Sequence, residues 1–236
     1  MPTPPGSATQ DAGPSPAPCA TVLKHILCRV APEDRTPFGA GQRAWQGLAA
    51  CGGFRGQTGG WSLDDPDRAV ILGFWAGPEA ADAFQAGGHD RLYAASGQQE
   101  LIQDLQVTRW RRIEGNGPGA GEELAQVAGR AGGFLRIAEA RLLPGRLQHF
   151  LDAQREVWDP AMRAAGVLAS GLWRSEQDEQ RFLSLSLWRS RESERAWRHG
   201  PFFECWRASG VEDDCEEVTG RLVPVDAEWR VDWPRT

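Results

Sequence analysis

Several things are scarce in this sequence, and each scarcity narrows what the chain can do. Lysine occurs once, as Lys24, beside 25 arginines. So lopsided a basic set reads as the coding bias of a GC-rich genome, not as a phosphate or carboxylate site. The net charge is −6 and the arginines are scattered, which excludes nucleic acid as a partner. No apolar run approaches the ~20 residues a membrane-spanning helix needs, so no membrane partner is expected. The five cysteines (Cys19, Cys28, Cys51, Cys205, Cys215) contain no C-x-x-C pair and are odd in number. That argues against a disulfide framework or a zinc site and for a reducing, cytoplasmic location. The usual catalytic signatures are also missing: G-x-S-x-G, a Walker loop, H-E-x-x-H, and G-x-G-x-x-G after a strand.

What is present is an ordinary globular composition, 41% hydrophobic and 25% charged over 236 residues, enough for one large or two small domains. Tryptophan is abundant, with 11 residues, which suits either a broad core or an aromatic-lined pocket. Residues 1–20 hold six of the 16 prolines and neither a basic nor a continuous apolar stretch, so they read as a disordered tail. Residues 114–133 hold seven glycines in 20 positions and read as a flexible linker. The carboxylates Glu212, Asp213, Asp214, Glu216 and Glu217 read as a solvated surface run.

The linker divides two copies of one pattern. At an offset of 113, Trp75 meets Trp188, Glu79 meets Glu192, Phe84 meets Trp197, Tyr93 meets Trp206, and Ala95-Ser96-Gly97 meets Ala208-Ser209-Gly210. At an offset of 112, Arg29 meets Arg141, Phe38 meets Phe150, Gln42-Arg43 meets Gln154-Arg155, and Trp61 meets Trp173. One inserted residue, assigned to the loop between Trp61 and Trp75, reconciles the two offsets. Val22 to Val30 and Phe134 to Leu142 alternate as strands with both faces covered. Helical spacing follows in each copy, with Phe38, Gln42 and Trp45 in the first and Phe150, Gln154 and Trp158 in the second. A hairpin comes next, Phe54–Trp61 with Ala69–Trp75 and Val167–Trp173 with Phe182–Trp188. A second helix and a closing strand, Leu105–Ile113 or Val218–Val231, complete each copy.

The order β-α-β-β-α-β is the ferredoxin-like arrangement. The predicted fold is therefore α+β: two ferredoxin-like modules, 21–113 and 134–233, pack their bare sheet faces together as one pseudo-symmetric α/β barrel. Ile71-Leu72-Gly73-Phe74-Trp75, then Phe84 and His89-Asp90, resembles the dimeric α/β-barrel superfamily, which includes antibiotic-biosynthesis-monooxygenase-like and haem-degrading proteins. With Gly59-Gly60-Trp61 as well, the first copy looks like the uncharacterised YdbC-like domain. The resemblance implies a monomeric fusion of what is usually a homodimer, with further dimerisation left open.

His89 stands out as a candidate proton carrier or axial haem ligand, against a reading in which it bonds local backbone with Asp90 nearby. Its repeat partner is Phe202. Gln42 and Gln154 fall on apolar helix stripes, where a buried amide must find partners and could orient a ligand. Trp61, Trp75, Phe84 and Trp173 are candidate walls of a pocket for a small apolar molecule. Arg29 and Arg141 are expected in ion pairs across the pseudo-dimer or at a rim. Two functions follow from the resemblance: cofactor-free monooxygenation of an apolar aromatic substrate, with His89 moving a proton, or passive binding of a hydrophobic ligand or haem. No cofactor is expected in the first reading; haem enters only in the second or in a haem-degrading variant of the first.

Overall fold

The computed structural model describes residues 22–113, 124, 127–128 and 133–232. The tail 1–20 lies outside the described residues, as does most of the linker 114–133. Strands β1 (Val22–Val30), β2 (Phe54–Trp61), β3 (Arg68–Trp75) and β4 (Ile102–Arg112) lie in the order β2-β3-β1-β4. Strands β5 (Phe134–Leu142), β6 (Ala169–Ser175), β7 (Arg181–Trp188) and β8 (Cys215–Pro224) repeat it as β6-β7-β5-β8. Every pairing is antiparallel. Both strands predicted by alternation, β1 and β5, have the expected bounds.

Each module carries its helices on one sheet face. In the first, the helix Arg35–Gly41 tightens into 3-10 turns over Gln42–Ala50, and the helices Pro78–Gly87 and His89–Ser96 follow β3. In the second, the helix Leu147–Ala153 passes through a π-turn, Gln154–Trp158, into Asp159–Ala164, and Arg191–His199 and Pro201–Ser209 follow β7. Proline opens Pro78–Gly87 and Pro201–Ser209, where its missing N–H costs nothing. The Ser190 hydroxyl accepts from the Ser193 amide in a capping box that starts Arg191–His199.

The uncovered sheet faces meet in one shared core. Leu23, Leu27, Val70, Leu72, Phe74 and Trp110 pack against Leu135, Ile137, Trp173, Leu183, Leu185, Leu187 and Val223. Two backbone seams close the barrel, and they are copies of each other. At the β4/β6 seam the Ile113 amide donates to Leu172 (2.9 Å) and the Glu176 amide to Arg109 (3.0 Å). At the β8/β2 seam the Asp226 amide donates to Gly59 (2.8 Å) and the Leu63 amide to Leu222 (2.9 Å). Adding 113 to each residue of the first module converts one seam into the other. The approach at Gly60 demands glycine, because a Cβ there would lie 2.1 Å from the Pro224 carbonyl oxygen.

The structure moves the inserted residue from the hairpin loop into the helix. Trp61 pairs with Ala69, and Arg174 pairs with Phe182, the repeat partner of Ala69. Trp61 is therefore equivalent to Arg174, and Trp173 to Gly60. Gly53 and Gly166, both at positive φ (75° and 82°), already match at 113 whereas Gln42 and Gln154 match at 112. Between them lies the π-turn Gln154–Trp158, whose i→i+5 bonding holds one residue more per turn than an α-helix. Trp45 thus corresponds to Trp158, and β2 keeps register with β6 throughout.

Three further expectations change. The last strand stops at Pro224, short of Val231, and a 3-10 turn over Ala227–Trp229 buries Trp229 against Phe38 and Trp61. Leu124 and Ala128, from the segment read as flexible spacer, are buried in the barrel core. Asp214, read as part of a solvated run, is fully buried and lies 2.6 Å (Oδ2) from His149 Nδ1. Arg29 and Arg141 form equivalent rim ion pairs inside their own modules, with Asp65 (3.2 Å) and Asp178 (3.6 Å). Among the described residues, no helix is long and apolar enough to cross a membrane.

Candidate functional site

Helices laid over a twisted sheet leave a gap wherever the helix–sheet interface carries side chains too short to fill it. Each module has such a gap, a cavity of about 340 Å³ in the first and about 250 Å³ in the second. Their walls correspond: Lys24 and Arg136, Phe38 and Phe150, Gln42 and Gln154, Trp45 and Trp158, Phe84 and Trp197, His89 and Phe202, Tyr93 and Trp206. The two differ mainly in charge and at the mouth.

In the first cavity the floor is the outward face of β1 and β3, with Ile26, Cys28, Ile71 and Gly73, while Leu105 and Val107 come from β4. Phe84 stacks on Trp75 at 5.1 Å between ring centroids, and Phe54 meets Trp75 edge-on at 5.3 Å. Three buried glutamines line the wall. Gln57 donates to the Trp229 carbonyl (3.0 Å), and Gln98 both donates to the Phe38 carbonyl (2.8 Å) and accepts from Trp45 Nε1 (2.9 Å). Gln42 is only 2% exposed, and its Oε1 has no hydrogen-bond partner. A buried acceptor without a donor costs roughly 1–3 kcal/mol, so this oxygen is an unfilled acceptor on the cavity wall. Burial pushes the Cys28 thiol up to about 12, which keeps it protonated and unreactive.

His89 stands at the mouth, at the start of the helix His89–Ser96, with its side chain 28% exposed. Its Nδ1 lies 3.0 Å from Asp90 Oδ1, an arrangement that places the proton on Nδ1 and leaves Nε2 as the basic nitrogen. The imidazole is nested among Tyr93, Trp45 and Phe84, with centroids 5.6, 5.8 and 5.8 Å away.

The second cavity is neutralised from within. Glu194 is fully buried, and its Oε1 lies 3.3 Å from an Arg136 Nη1 that reaches in from β5. The Arg136 guanidinium also covers the Phe202 ring at 4.9 Å. Arg198 Nε lies 3.7 Å from the same oxygen but is half exposed, so removing Arg136 leaves the buried carboxylate with only this weaker partner. Arg136→Met is expected to lower unfolding stability by about 3 kcal/mol, and Arg136→Met with Glu194→Met to regain most of it, measured by urea unfolding. A double variant no more stable than the single would show that the pair carries no such coupling.

Of the residues singled out from the sequence, Gln42, Trp75, Phe84 and His89 converge on the first cavity, and Gln154 lines the second. Trp61 does not reach the first cavity: it packs between Phe38 and Trp229 and borders a separate open groove. Trp173 lines neither, because it points into the barrel core with no exposed surface. The one-residue shift in register accounts for Trp173, since a slip of one residue along a strand reverses the face a side chain takes; Trp61 keeps the face of Gln57 but lies four residues farther along β2, past the cavity. Sequence reasoning overlooked Lys24, which lines the first cavity and is 8% exposed. The repeat held the signal, for a cation recurs as Arg136 at the same position of β5, on the face turned toward the helices.

Comparison with known proteins agrees with this architecture module by module. Residues 22–110 match the model of a domain of unknown function, DUF4937, and residues 133–209 match the antibiotic biosynthesis monooxygenase model. The uncharacterized protein YdbC of Bacillus subtilis (strain 168) is 33% identical over 89 residues, covering 37% of this chain and 75% of that protein. Among solved structures, a candidate monooxygenase from Fusobacterium nucleatum superposes with a TM-score of 0.66 at 12% identity, over 88% of this chain and 93% of that one. An anthrone oxidase-like protein gives 0.64 at 14% identity, over 88% and 92%. The chain belongs to the YdbC family of ferredoxin-fold, antibiotic-biosynthesis-monooxygenase-like proteins, with a DUF4937 module in its first half and an antibiotic biosynthesis monooxygenase module in its second.

Proposed function

We propose that the first cavity binds a small, flat, apolar aromatic molecule and promotes its oxidation by molecular oxygen without a bound cofactor. The observation that carries this reading is the unfilled Gln42 Oε1, on a wall of aromatic rings and hydrogen-bonded glutamines that also holds His89. Such a wall takes an apolar ring system, and the free amide oxygen takes one hydroxyl or N–H donor from it. His89 Nε2 is the base that removes a carbon-bound proton from the activated ring, and Asp90 holds the imidazolium that results. The electron-rich anion gives two electrons to O₂ and forms a carbon-bound hydroperoxide; that hydroperoxide then loses its second carbon-bound hydrogen and its distal oxygen as water, a further two-electron change at carbon, so a methylene and O₂ balance a carbonyl and H₂O. Burial among Trp45, Trp75 and Phe84 excludes water from the reacting carbon.

Haem does not suit these residues. A macrocycle carried on His89 would have to displace Trp45, Phe84 and Tyr93, whose rings pack 5.6–5.8 Å from the imidazole, whereas a small flat substrate needs only an edge at Nε2. No step therefore runs through haem, and a haem titration of wild type and His89→Ala is expected to give the same featureless Soret region. The second cavity supports the passive alternative for its own module, since Phe202 replaces the histidine and an internal ion pair occupies the polar end.

Anthrone is a suitable probe because it carries an acidic methylene between aromatic rings, and the anthrone oxidase-like neighbour makes the same compound a natural choice. Oxygen uptake with anthrone is expected to exceed the buffer rate and to fall about 10²–10⁴-fold in His89→Ala, with binding retained. Tight binding with no acceleration would leave the passive reading in its place.

A further inference from the structure

The sole lysine of the chain stands at the wall of the first cavity, and its surroundings differ from those of its repeat partner in one respect. In the second module Arg136 faces Glu194, whose side chain is 1% exposed. The position equivalent to Glu194 in the first module is Ala81, which is buried and carries no charge. Lys24 Nζ instead donates to a neutral amide, Gln85 Oε1, at 2.8 Å, and lies 5.8 Å from the centre of the Phe84 ring. Asp82, the carboxylate whose field reaches Lys24, is already engaged by Arg109, and Arg109 also binds Glu176 (3.0 Å). Among the described residues no carboxylate pairs with Lys24. Burial, and then the Arg109 charge, push its ammonium below the usual lysine range, while Asp82 pulls it back.

We infer that the natural ligand of the first cavity is an anion, an aromatic carboxylate or phenolate whose charged group sits against Lys24 and Gln85 while its rings lie against Trp75 and Phe84. A cation in a mostly apolar cavity is costly unless something neutralises it, and the second module does so with its own glutamate. The first module leaves that place to what it binds. This rests on the pocket reading above and refines it by fixing the ligand's charge. It also separates the modules: the first selects anions, and the second, its cation already matched, does not.

The test compares 2-naphthoate with 2-naphthamide, two probes of nearly the same shape that differ in charge, by calorimetry and by quenching of tryptophan fluorescence. Wild type is expected to bind naphthoate at least tenfold more tightly. Lys24→Met should lower naphthoate affinity tenfold or more and leave naphthamide within threefold, and Lys24→Arg should restore the preference. A thermal scan confirms that each variant is folded, and Lys24→Gln serves if the methionine variant is not. Equal binding of both probes by wild type, or a naphthoate preference that survives in Lys24→Met, overturns the inference while the apolar pocket stands. If neither probe binds wild type, the pocket reading fails and the inference fails with it.

Discussion

Replacing Trp173 with alanine is expected to lower the unfolding free energy of the whole chain by about 3–5 kcal/mol, the usual cost of deleting a large buried aromatic side chain. Trp173 has no exposed surface, meets Phe74 of the other module at 6.3 Å between ring centroids, and lies under the Arg112 guanidinium at 5.5 Å. It is paired with Arg112 across the β4/β6 seam, so the void would open where the two modules join. Because the core is shared, urea unfolding of the variant should remain one transition displaced to lower urea, with near- and far-UV signals moving together. Two separated transitions, one of them at the wild-type midpoint, would mean that the modules fold independently and that the barrel interior is not a common core. Trp61→Ala offers the contrast, since Trp61 belongs to a satellite cluster with Phe38 and Trp229 and should cost less.

The second large effect is a loss of stability in mild acid that a single histidine controls. His25 lies on the inner face of β1 between Leu23 and Leu27, is 2% exposed, and its Nε2 has no hydrogen-bond partner. Burial first, then the charges of Arg221 and Arg181, push its pKa down from 6.5 to about 3. The unfolded chain therefore takes up a proton near pH 6.5, while the folded chain refuses it until about pH 3. Between those values the unfolded state binds more protons. The contribution of His25 is intact above pH 6.5 and drains away as pH falls, amounting to about 4–5 kcal/mol by pH 3. The second module has Ile137 at this position. His25→Ile should leave stability at pH 7.5 within about 1 kcal/mol of wild type and flatten the acid limb. Stability curves for the two proteins that run parallel from pH 7.5 to 4 would show that His25 is not held neutral by the barrel.

How much of the site could be read from the chain follows the same physics. Periodicity located β1 and β5 to the residue, because both faces of those strands are covered and each position is constrained. Gln42 and Gln154 were recognisable as amides on apolar stripes, since a polar residue breaking a helical pattern is visible locally. His89 was recognisable by the His89-Asp90 pattern after Phe84 and by Phe202 standing in its place in the second copy. Trp173 was misplaced because matching tryptophans by identity hid a shift of one residue, and in a strand that shift decides between cavity and core; Trp61 is on the cavity face but too far along β2 to reach it, a distance that depends on the tertiary packing. Lys24 was set aside as composition bias, because its significance depends on a carboxylate being absent at Ala81, more than 50 residues along the chain.

Two copies of a βαββαβ module, in that order along the chain, were set by the sequence itself, through hydrophobic period and turn residues, which act over a few residues, and through repetition of the whole pattern. The tertiary structure alone decided the rest. It chose the helix, by way of the π-turn at Gln154–Trp158, as the place for the extra residue; it closed the barrel through backbone seams at Gly59 and Leu172 that no side-chain pattern encodes. Among the described residues it also left the Lys24 cation of one cavity facing a neutral amide and the Arg136 cation of the other facing a carboxylate, because desolvation and charge pairing depend on which distant residues share a volume from which water is excluded.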